Sequence, residues 1–501
     1  MPKVGEGQAS VGAGGGADGG SLKGTLASAY PAVDQVFADA CARYRIPGLA
    51  YGVVFDGELS HAGGCGVREN ESRSPVLTDT IFRIASMTKS ITAACLLMLR
   101  DDGLLALDDP VAKYVPQLGN LPLPTRDSVA PTVRQLLTMS VGFVEDDPWA
   151  DRHLSMTESE FNDLLERGIP FDWPSGLVFE YSNLGYGVLG RIVREVTGTS
   201  VMELASNRLF EPLGMSDTLW ETSRVAPDRV ARGYRLEGDA WVEEPPLSNG
   251  AFAPMGGLWT TVEDFAQYVN LQLSAWPARD DPDPGPLRRS SLREMQQPVR
   301  FCPAPDAKAP WLPMAGYGFG LIAGESSRDG RVVCHSGGLP GFGSHVQWLP
   351  DYGLGVFAFA NLTYSPMRVV VGEAIDALAA TGALTPRTIQ PSAPLAAAWK
   401  AVRRLYEGWD EGVARDLAAD NLFLDVPAER RREEFQRLRA QHGACLDVLQ
   451  PSASGAMRGT WRLTCERGAI DVTIWLAPTI PPAVQVLRLV SVPGEAVSTD
   501  S

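Results

Sequence analysis

Ser86 and Lys89 are the two residues of this 501-residue chain whose types and spacing best suit covalent chemistry. Residues 82–89 read FRIASMTK, a pattern that predicts a strand end followed by a tight turn into a helix. Residues three apart share one face of a helix, so Lys89 would lie beside Ser86. An amine within reach can accept the hydroxyl proton, and the N–H groups at a helix start favour a nearby oxyanion. Ser86 is therefore the candidate nucleophile.

Two further motifs follow in chain order. Tyr181-x-Asn183 falls between a strand-like run and a helix, a position where loops commonly carry chemistry. Residues 335–338 read HSGG at a predicted strand end, and their glycines allow a ligand to approach the backbone closely. The stretch 268–270 also matches Tyr-x-Asn, but it lies in an amphipathic helix and is interpreted as structural. Together with the serine–lysine pair, the two motifs form one candidate site.

The order, spacing and context of the three motifs resemble those of the serine β-lactamase and penicillin-binding-protein-like superfamily, in particular its class C and esterase-like branch. Members of that branch read Ser-x-x-Lys, Tyr-x-Asn and Lys/His-Thr/Ser-Gly. The resemblance covers about residues 30–380 and extends to residues 174–176 (PSG) and 256–259 (GGLW). It implies an α+β fold with a β-lactamase/transpeptidase-like catalytic domain, in which helices flank an antiparallel sheet and a helical subdomain is inserted.

The resemblance also implies a role for each matched residue. The catalytic residues would be Ser86, Lys89 and Tyr181: Ser86 attacks a carbonyl to form an acyl-enzyme, and the other two move its proton. Whether Lys89 or Tyr181 is the primary base stays open. The backbone N–H groups of Ser86 and Gly338 would form the oxyanion hole. The residues expected to contact the substrate are Asn183, His335, Gly337, Gly338 and Trp259.

Several of these residues also have simpler, structural interpretations. Ser86 and Asn183 are both good helix N-caps, and His335 suits a satisfied structural position. In the family role, Asn183 binds polar groups of the substrate and helps to seat Lys89. Trp259 is expected to form the cleft wall or the core rather than to act in catalysis.

Two departures from the family pattern bear on the substrate. His335 stands where antibiotic-processing relatives commonly carry lysine. A histidine that is neutral much of the time suits a less strictly anionic ligand than a permanent cation does. Residues 138–143 read TMSVGF where many relatives read Thr-His-Thr-Ser-Gly-Leu, and we interpret this stretch as wall and packing. His335 therefore shifts the expected substrate away from antibiotics.

Composition divides the chain into four parts. Residues 1–24 are Gly-rich and are expected to form a disordered tail. Residues 25–385 carry the motifs and the predicted catalytic domain, and residues 386–394 form a Pro/Ser linker. Residues 395–495 predict a small α+β domain, for which an NTF2-like cone is preferred over a lipocalin-like barrel because two helices come first. This domain is expected to pack on the catalytic domain, where it narrows the cleft or mediates dimerisation.

Hydrophobic periodicity predicts the main elements. The predicted helices span 31–44, 133–139, 158–167, 186–196, 369–380, 395–407 and 430–441, with two more ending near Gly103 and starting near Val262. The predicted strands span 48–55, 319–323, 331–334, 345–349, 353–360, 459–465, 469–476 and 484–492. This order is typical of an α+β arrangement and not of βαβ alternation.

Bulk properties exclude several function classes. The net charge of −16 argues against nucleic-acid partners and anionic membranes. No stretch is apolar for long enough to span a membrane and the N-terminus does not read as a secretory signal, so a cytoplasmic location is expected. The His and Cys spacings match no metal site, and no cofactor is expected. The seven cysteines show no disulfide framework; Cys445 and Cys465 could pair across strands, but buried thiols are the favoured interpretation.

These observations predict a serine hydrolase that cleaves an ester or amide through a Ser86 acyl-enzyme, without a metal or cofactor. The expected partner is a small-molecule or peptidic substrate, and the chain is a candidate homo-oligomer. Three alternatives stay open: a D-amino-acid peptidase, transpeptidase or peptide-cyclising acyltransferase; a β-lactamase; and a non-catalytic scaffold of the same fold. The missing export signal and His335 both count against a β-lactamase.

Overall fold

A computed structural model describes residues 18–302, 314–326, 328–387, 389–448 and 452–492. The chain divides into two compact units, with the boundary after Pro386 and with the short segment Pro277–Asp281 grouped with the second unit. Most of the predicted tail over 1–24 lies outside the described residues, but Asp18–Ala27 forms a helix where a tail was expected. The other predicted domain limits stay predictions.

Nine antiparallel strands form the central sheet in the described part of the first unit. Their spatial order is Ser74–Pro75, Glu58–Glu69, Gly48–Phe55, Leu354–Ala360, Phe342–Leu349, Gly330–Leu339, Ile322–Ser326, Met314–Tyr317 and Arg300–Cys302. The first and last of these strands along the chain, Gly48–Phe55 and Leu354–Ala360, are neighbours, with Leu49 opposite Ala360. Both strands are buried along their whole length, because helices cover both faces of the sheet.

Four helices cover the two faces of this sheet. Tyr30–Arg43 and Met367–Ala379 share one apolar core with it, and Thr88–Asp101 and Val262–Ser274 belong to the larger core on the other face. Thr88–Asp101 is buried from its first residue through Leu99, although its first turn carries the polar residues Thr88, Lys89 and Ser90. This buried helix carries Lys89.

The other α-helices in the described part of the first unit build the helical subdomain and its surroundings. They are Asp18–Ala27, Val133–Leu137, Asp147–Ala150, Glu158–Arg167, Asn183–Thr197, Val201–Ala205, Glu211–Leu213, Ala253–Gly256 and Arg289–Met295. Single 3₁₀ or π turns lie at Ala85–Met87, Val111–Lys113, Pro116–Asn120, Ser206–Phe210 and Pro227–Arg229. Two small antiparallel pairs join Phe82–Arg83 to Trp259–Thr260 and Tyr234–Glu237 to Ala240–Glu243.

Side-chain caps fix where two of the helices begin. Thr157 caps Glu158–Arg167, which begins and ends as predicted. Ser182 caps Asn183–Thr197 by accepting a hydrogen bond from the backbone three residues on, so this helix begins three residues before its predicted start at 186. The interpretation of Asn183 as an N-cap is wrong, because Asn183 is the first helical residue.

Turns set the strand limits. Phe342–Leu349 and Leu354–Ala360 form the predicted hairpin, with Leu349 opposite Leu354. The strand predicted over 319–323 instead forms at Ile322–Ser326. Gly320 has φ +69, and a backbone hydrogen bond from Gly318 to Leu321 closes a turn there, which delays the strand.

The second unit is a separate α+β body. Its described helices are Ala393–Glu407, Glu411–Leu417, Asp420–Asp425 and Ala428–His442. Its described strands are Cys445–Val448, Ser452–Gly455, Arg458–Cys465, Gly468–Leu476 and Val484–Val492, all antiparallel. Alternate residues of Arg458–Cys465 are buried, so one face of the sheet packs on the helices around Trp399 and Val402. The α+β prediction is confirmed, while the choice of an NTF2-like cone over a barrel stays a prediction.

Cys41 and Cys65 form a disulfide between a helix and a strand of the first unit. The cysteine spacings do not predict this bond, because the two residues are 24 apart and meet only through packing of the helix on the sheet. Cys445 and Cys465 face each other in neighbouring strands, and Cys465 is buried. Across the described ranges, no helix has both the length and the apolar character needed to cross a membrane.

Candidate active site around Ser86

Ser86 lies at the turn between the short strand Phe82–Arg83 and the helix Thr88–Asp101. Pairing of that strand with Trp259–Thr260 fixes the chain just before the turn. Ala85 has φ +48, which a residue with a side chain rarely adopts, so the surrounding structure holds the turn in a strained conformation. Ser86 lines a cavity of about 360 Å³, here named the Ser86 cavity. Ser86 is not the N-cap of the helix, so that structural interpretation is wrong.

Lys89 is fully buried one turn after Ser86. Its Nζ atom donates hydrogen bonds to Ser86 Oγ and to the carbonyl oxygen of Met255, each at 2.8 Å. Burial lowers the pKa of Lys89 to about 8, while the charges of nearby aspartates, Asp147 first, act in the opposite direction. A neutral amine that can accept the Ser86 proton is therefore accessible near neutral pH.

Tyr181 lies beside the same pair. Its hydroxyl group interacts with the Ser86 side chain, and Lys89 Nζ lies 5.0 Å from the centroid of its ring. Burial, with a smaller contribution from the charge of Asp147, raises the pKa of Tyr181 well above its usual value. The phenol therefore stays protonated at neutral pH, where it can donate a proton but is a poor first base.

The departure from the family pattern at 138–143 holds the Tyr181 loop. The carbonyl oxygen of Met139 accepts a hydrogen bond from the backbone N–H of Glu180 at 2.8 Å. The backbone N–H of Ser182 donates to Met139 Sδ at 3.3 Å. These contacts fix the residues directly before and after Tyr181, which agrees with the interpretation of this stretch as wall and packing.

His335 is 3% exposed and lines the Ser86 cavity. Its Nδ1 atom lies 2.6 Å from the carbonyl oxygen of Ser336, which can only accept, so the proton sits on Nδ1. Nε2 then accepts a hydrogen bond from the Tyr317 hydroxyl at 3.0 Å. Burial, aided by the charge of Lys89, lowers the pKa of His335 to about 3. His335 is thus a neutral ring that presents no cation to a substrate.

Gly337 and Gly338 each pass close to another segment of the chain. A Cβ atom on Gly337 would lie 2.2 Å from the carbonyl oxygen of Ile84, and one on Gly338 would lie 2.5 Å from the Tyr364 ring. No other residue fits at either position unless its neighbour moves. Both glycines line the Ser86 cavity, so the two predicted oxyanion donors, Ser86 and Gly338, share it.

Asn183 is buried behind the Ser86 cavity and does not line it. Its Nδ2 atom donates to Asp147 Oδ1 at 2.7 Å, and its backbone N–H donates to Asp146 Oδ1 at 2.7 Å. Within the described residues, its side chain makes no hydrogen bond to Lys89. The expected seating of Lys89 by Asn183 is therefore corrected: Asn183 holds the carboxylate of Asp147, which lines the cavity. The expected contact of Asn183 with the substrate stays a prediction.

Trp259 is also placed away from the Ser86 cavity. The strand register sets it opposite Arg83, whose guanidinium lies 4.7 Å from the centroid of the Trp259 ring. The Phe342 ring packs edge-on against the Trp259 ring, with the two ring centroids 5.2 Å apart. These residues line a separate cavity of about 310 Å³. Trp259 is thus a wall of this second cavity, as the cleft-wall interpretation expected, and its contact with the substrate stays a prediction.

Several residues of the Ser86 cavity belong to no motif and are missed by sequence reasoning. They are Glu145, Asp147, Phe179, Tyr317, Tyr364 and Arg368. Most of them come from segments whose distance from Ser86 along the chain does not predict that they lie near it. The acidic run 145–147 is visible in the sequence, but on its own it predicts only a charged surface.

Residues 33–381 match the Beta-lactamase family model, which is 349 of the 501 residues. The chain belongs to the beta-lactamase family. Membership confirms the resemblance to the serine β-lactamase and penicillin-binding-protein-like superfamily and supports serine hydrolase or acyl-transferase chemistry in general. The class C and esterase-like branch stays a prediction.

Curated relatives of this beta-lactamase family chain are similar over much of its length. Protein flp of Staphylococcus aureus (strain NCTC 8325 / PS 47) is 27% identical over 342 residues, which cover 67% of this chain and 64% of flp. Uncharacterized protein MT1414 of Mycobacterium tuberculosis (strain CDC 1551 / Oshkosh) is 28% identical over 330 residues, which cover 59% of this chain and 78% of MT1414. The chain thus spans less than two thirds of the length of flp.

Two solved structures share the fold. The octameric penicillin-binding protein homologue from Pyrococcus abyssi has a TM-score of 0.61 at 22% identity, over 92% of this chain and 99% of that one. SurE has a TM-score of 0.56 at 21% identity, over 95% of this chain and 92% of that one. The predicted β-lactamase/transpeptidase-like fold is confirmed.

Proposed function

We propose that this beta-lactamase family member is a serine hydrolase that cleaves an ester or amide through an acyl-enzyme on Ser86. The observation that carries the proposal is the 2.8 Å hydrogen bond from Lys89 Nζ to Ser86 Oγ in a fully buried environment. A buried amine with a pKa of about 8 beside a serine hydroxyl suits a base and its nucleophile. A purely structural position would gain nothing from this lysine, because burying an amine is unfavourable.

We assign the first proton transfer to Lys89. Neutral Lys89 accepts the Ser86 proton as Oγ forms its bond to the substrate carbonyl carbon. The backbone N–H groups of Ser86 and Gly338 stabilise the resulting oxyanion, and one such donor is typically worth about 3 kcal/mol.

Tyr181 completes the proton path. When the tetrahedral intermediate collapses, the bond to the leaving group breaks and the leaving group takes a proton from the Tyr181 hydroxyl. Tyr181 regains that proton from the Lys89 ammonium, so the proton that left Ser86 ends on the leaving group. Deacylation reverses the path: water attacks the acyl carbon, its proton passes to Lys89, and Ser86 Oγ leaves protonated.

The neutral state of His335 favours substrates without an obligatory carboxylate at that position. Both ring nitrogens of His335 are engaged, one with Tyr317 and one with the Ser336 carbonyl. This supports an ester or amide substrate, of small-molecule or peptidic nature, over an antibiotic, and it ranks a β-lactamase below the esterase.

The second candidate function keeps the acyl-enzyme and changes its acceptor. A substrate made of D-residues would make the chain a D-amino-acid peptidase, and attack by an amine instead of water would make it a transpeptidase or a peptide-cyclising acyltransferase. Its likeness in fold to a penicillin-binding protein homologue supports this candidate. That homologue is octameric, which also supports a homo-oligomer for this chain, to be measured by sedimentation. A cytoplasmic location remains a proposal from the sequence.

Intact-protein mass spectrometry tests the proposed function. The chain is exposed to a panel of esters, D-residue peptides, peptidyl thioesters and β-lactams, and acid quenching traps any acyl-enzyme. The expected result is an added acyl mass from at least one ester or peptidic compound that is absent in Ser86→Ala. A folded wild-type chain that gains no mass from any member of the panel would contradict the proposal and favour the scaffold alternative.

A further inference from the structure

One side of the Ser86 cavity is acidic. Glu145 and Asp147 line it, and Asp151 follows Asp147 by one helical turn, with its backbone N–H bonded to the Asp147 carbonyl oxygen at 3.1 Å. Glu145 is exposed, Asp147 is half-buried and Asp151 is 1% exposed, so the carboxylates run from the cavity mouth into the protein. We call Glu145, Asp147 and Asp151 the acidic wall.

Two buried oxygen atoms at this wall have no hydrogen-bond donor among the described residues. One is Asp151 Oδ1; the other carboxylate oxygen, Oδ2, accepts from the Tyr364 hydroxyl at 2.8 Å. The second is Asn183 Oδ1, on a fully buried side chain whose Nδ2 is turned to Asp147. That orientation of the Asn183 amide is fixed, because a carboxylate can only accept. Buried acceptors without a donor are unfavourable, so they mark a place where a donor belongs.

In the part of the chain that the structure describes, the acidic wall also lacks a salt-bridge partner. None of its three carboxylates forms an ion pair with a described residue. The nearby cation Lys89 directs its hydrogen bonds to Ser86 and to the Met255 carbonyl oxygen instead. Lys89 is affected by the charges of Asp147, Asp151 and Asp146, and Arg368 also lines the cavity. Burial and the charge of Asp147 raise the pKa of Asp151 to about 7, so the negative charge that faces the cavity on this side lies on Glu145 and Asp147.

We propose that the acidic wall binds a positively charged amine of the substrate, so that the preferred substrate is an ester or amide carrying an ammonium group near the scissile carbonyl. The inference rests on the proposed Ser86 acyl-enzyme and specifies its substrate class. The ammonium lies against Asp147 at the cavity surface, with Asp151 one helical turn behind it. The N–H donors of the ammonium match the carboxylate oxygens of Glu145 and Asp147, the two wall residues that line the cavity.

Tyr364 supports the same site. Its hydroxyl donates to Asp151, its ring lies against Gly338, and its backbone has φ +49. A strained residue that touches both the acidic wall and the predicted oxyanion donor closes the cavity between them. An ammonium on the acyl group would therefore be held while its carbonyl lies at Gly338.

An isosteric substrate pair tests the inference. The p-nitrophenyl esters of alanine, as both enantiomers, are compared with the p-nitrophenyl ester of 2-methylpropanoate, in which a methyl group replaces the ammonium. Wild-type kcat/KM is expected to be at least about tenfold higher for one alanine ester, which is the size of one charge-assisted hydrogen bond. The comparison uses one pH below the pKa of the substrate amine. Each kcat/KM is divided by the rate constant for hydroxide hydrolysis of the same ester, because an α-ammonium group by itself makes the carbonyl more reactive.

Variants show which residues cause the preference for the alanine ester over the 2-methylpropanoate ester. In Asp147→Asn the ratio of the two kcat/KM values is expected to fall towards one, and in Asp151→Asn it falls by a smaller factor. Asp163→Asn removes the same charge from an exposed position of the helix Glu158–Arg167 and is expected to keep the wild-type ratio. Using the ratio removes any effect of Asp147 on Lys89 itself, because both esters share that chemistry.

The outcomes separate the inference from the proposed function. A wild-type ratio of one or less, with the 2-methylpropanoate ester hydrolysed through Ser86, would overturn the ammonium site and leave the hydrolase intact. A high ratio that Asp147→Asn and Asp151→Asn both keep would also overturn it. Hydrolysis of neither ester, together with no acyl mass from the wider panel, would overturn the proposed function and this inference with it.

Discussion

Gly337 and Ile84 approach so closely that a Cβ atom on Gly337 would lie 2.2 Å from the carbonyl oxygen of Ile84. The same carbonyl oxygen accepts a hydrogen bond from the Ser344 hydroxyl at 2.8 Å. Ile84 is two residues before Ser86, so two neighbouring strands of the sheet hold the nucleophile turn through this one carbonyl group.

Gly337→Ala is expected to lower kcat/KM by about a hundredfold, because the added methyl group must push the strand away from the turn that carries Ser86. Steady-state kinetics on any ester that the wild type hydrolyses measure the loss. Gly372→Ala is the matched control, since a Cβ there meets nothing within 4 Å and the residue lies inside a helix. The control should keep full activity with equal or higher thermal stability; equal activity in both variants would contradict the coupling.

The rate is expected to rise with pH through the pKa of Lys89. Burial lowers that pKa to about 8, and only the neutral amine can accept the Ser86 proton. With an ester that does not itself titrate, kcat/KM should fall by about tenfold per pH unit below this value and level off above it. Asp147→Asn removes the largest charge that raises the pKa of Lys89, so its profile should shift to lower pH. A profile that is flat across this range, or that falls as pH rises, would argue against Lys89 as the base.

Tyr181→Phe keeps the ring beside Lys89 and removes the hydroxyl. It is expected to lower kcat/KM by about 10²–10⁴ while the chain still folds, because the leaving group loses its proton donor. Tyr268→Phe is the matched control: Tyr268 also begins a Tyr-x-Asn pattern and is fully buried, but its hydroxyl accepts a hydrogen bond from Gln272 in a helix. Similar losses in the two variants would mean that the Tyr181 hydroxyl has no special part in the reaction.

His345 should make the fold sensitive to acid. It is fully buried, and burial lowers its pKa well below its usual value, so below about pH 6.5 the unfolded chain binds a proton that the folded chain does not. Stability therefore falls as pH falls, and relative to His345→Gln the wild type should lose about 1.4 kcal/mol per pH unit below that value. Urea unfolding of both proteins measures the difference, which should be constant above neutral pH where histidine is uncharged in both states. A difference that does not change with pH would contradict the burial of a neutral His345.

Local patterns predict much of this site. The spacing of Ser86 and Lys89 is enough to place both on one side of a helix start, and the structure brings them to 2.8 Å. The strand Gly48–Phe55 and the helix Glu158–Arg167 form as predicted, because each has a clear periodicity and a clear turn or cap at its ends. The same patterns predict the α+β arrangement, because strands follow one another in runs and do not alternate with helices as in βαβ units.

Contacts between distant segments are what the sequence does not reveal. Asn183 matches its motif by spacing, but the hydrogen-bond partner of its side chain is Asp147. Asp147 is 36 residues earlier in the chain and lies on a short helix that matches no family motif. Trp259 follows a recognisable Gly-Gly turn, yet strand register sets it opposite Arg83 and away from the Ser86 cavity. Tyr317 and Tyr364 enter the cavity from a strand and a loop that no motif marks.

Covalent labelling of Ser86 is the most direct test of the central claim. The wild-type chain, treated with a fluorophosphonate probe, is expected to gain one probe mass, which proteolysis and mass spectrometry locate on the peptide that contains Ser86. Ser86→Ala is expected to gain none, and Lys89→Met is expected to react far more slowly because its serine keeps its proton. Labelling of the wild type at Ser86 that Ser86→Ala abolishes is the predicted result; a well-folded wild-type chain with Ser86 unlabelled would contradict it.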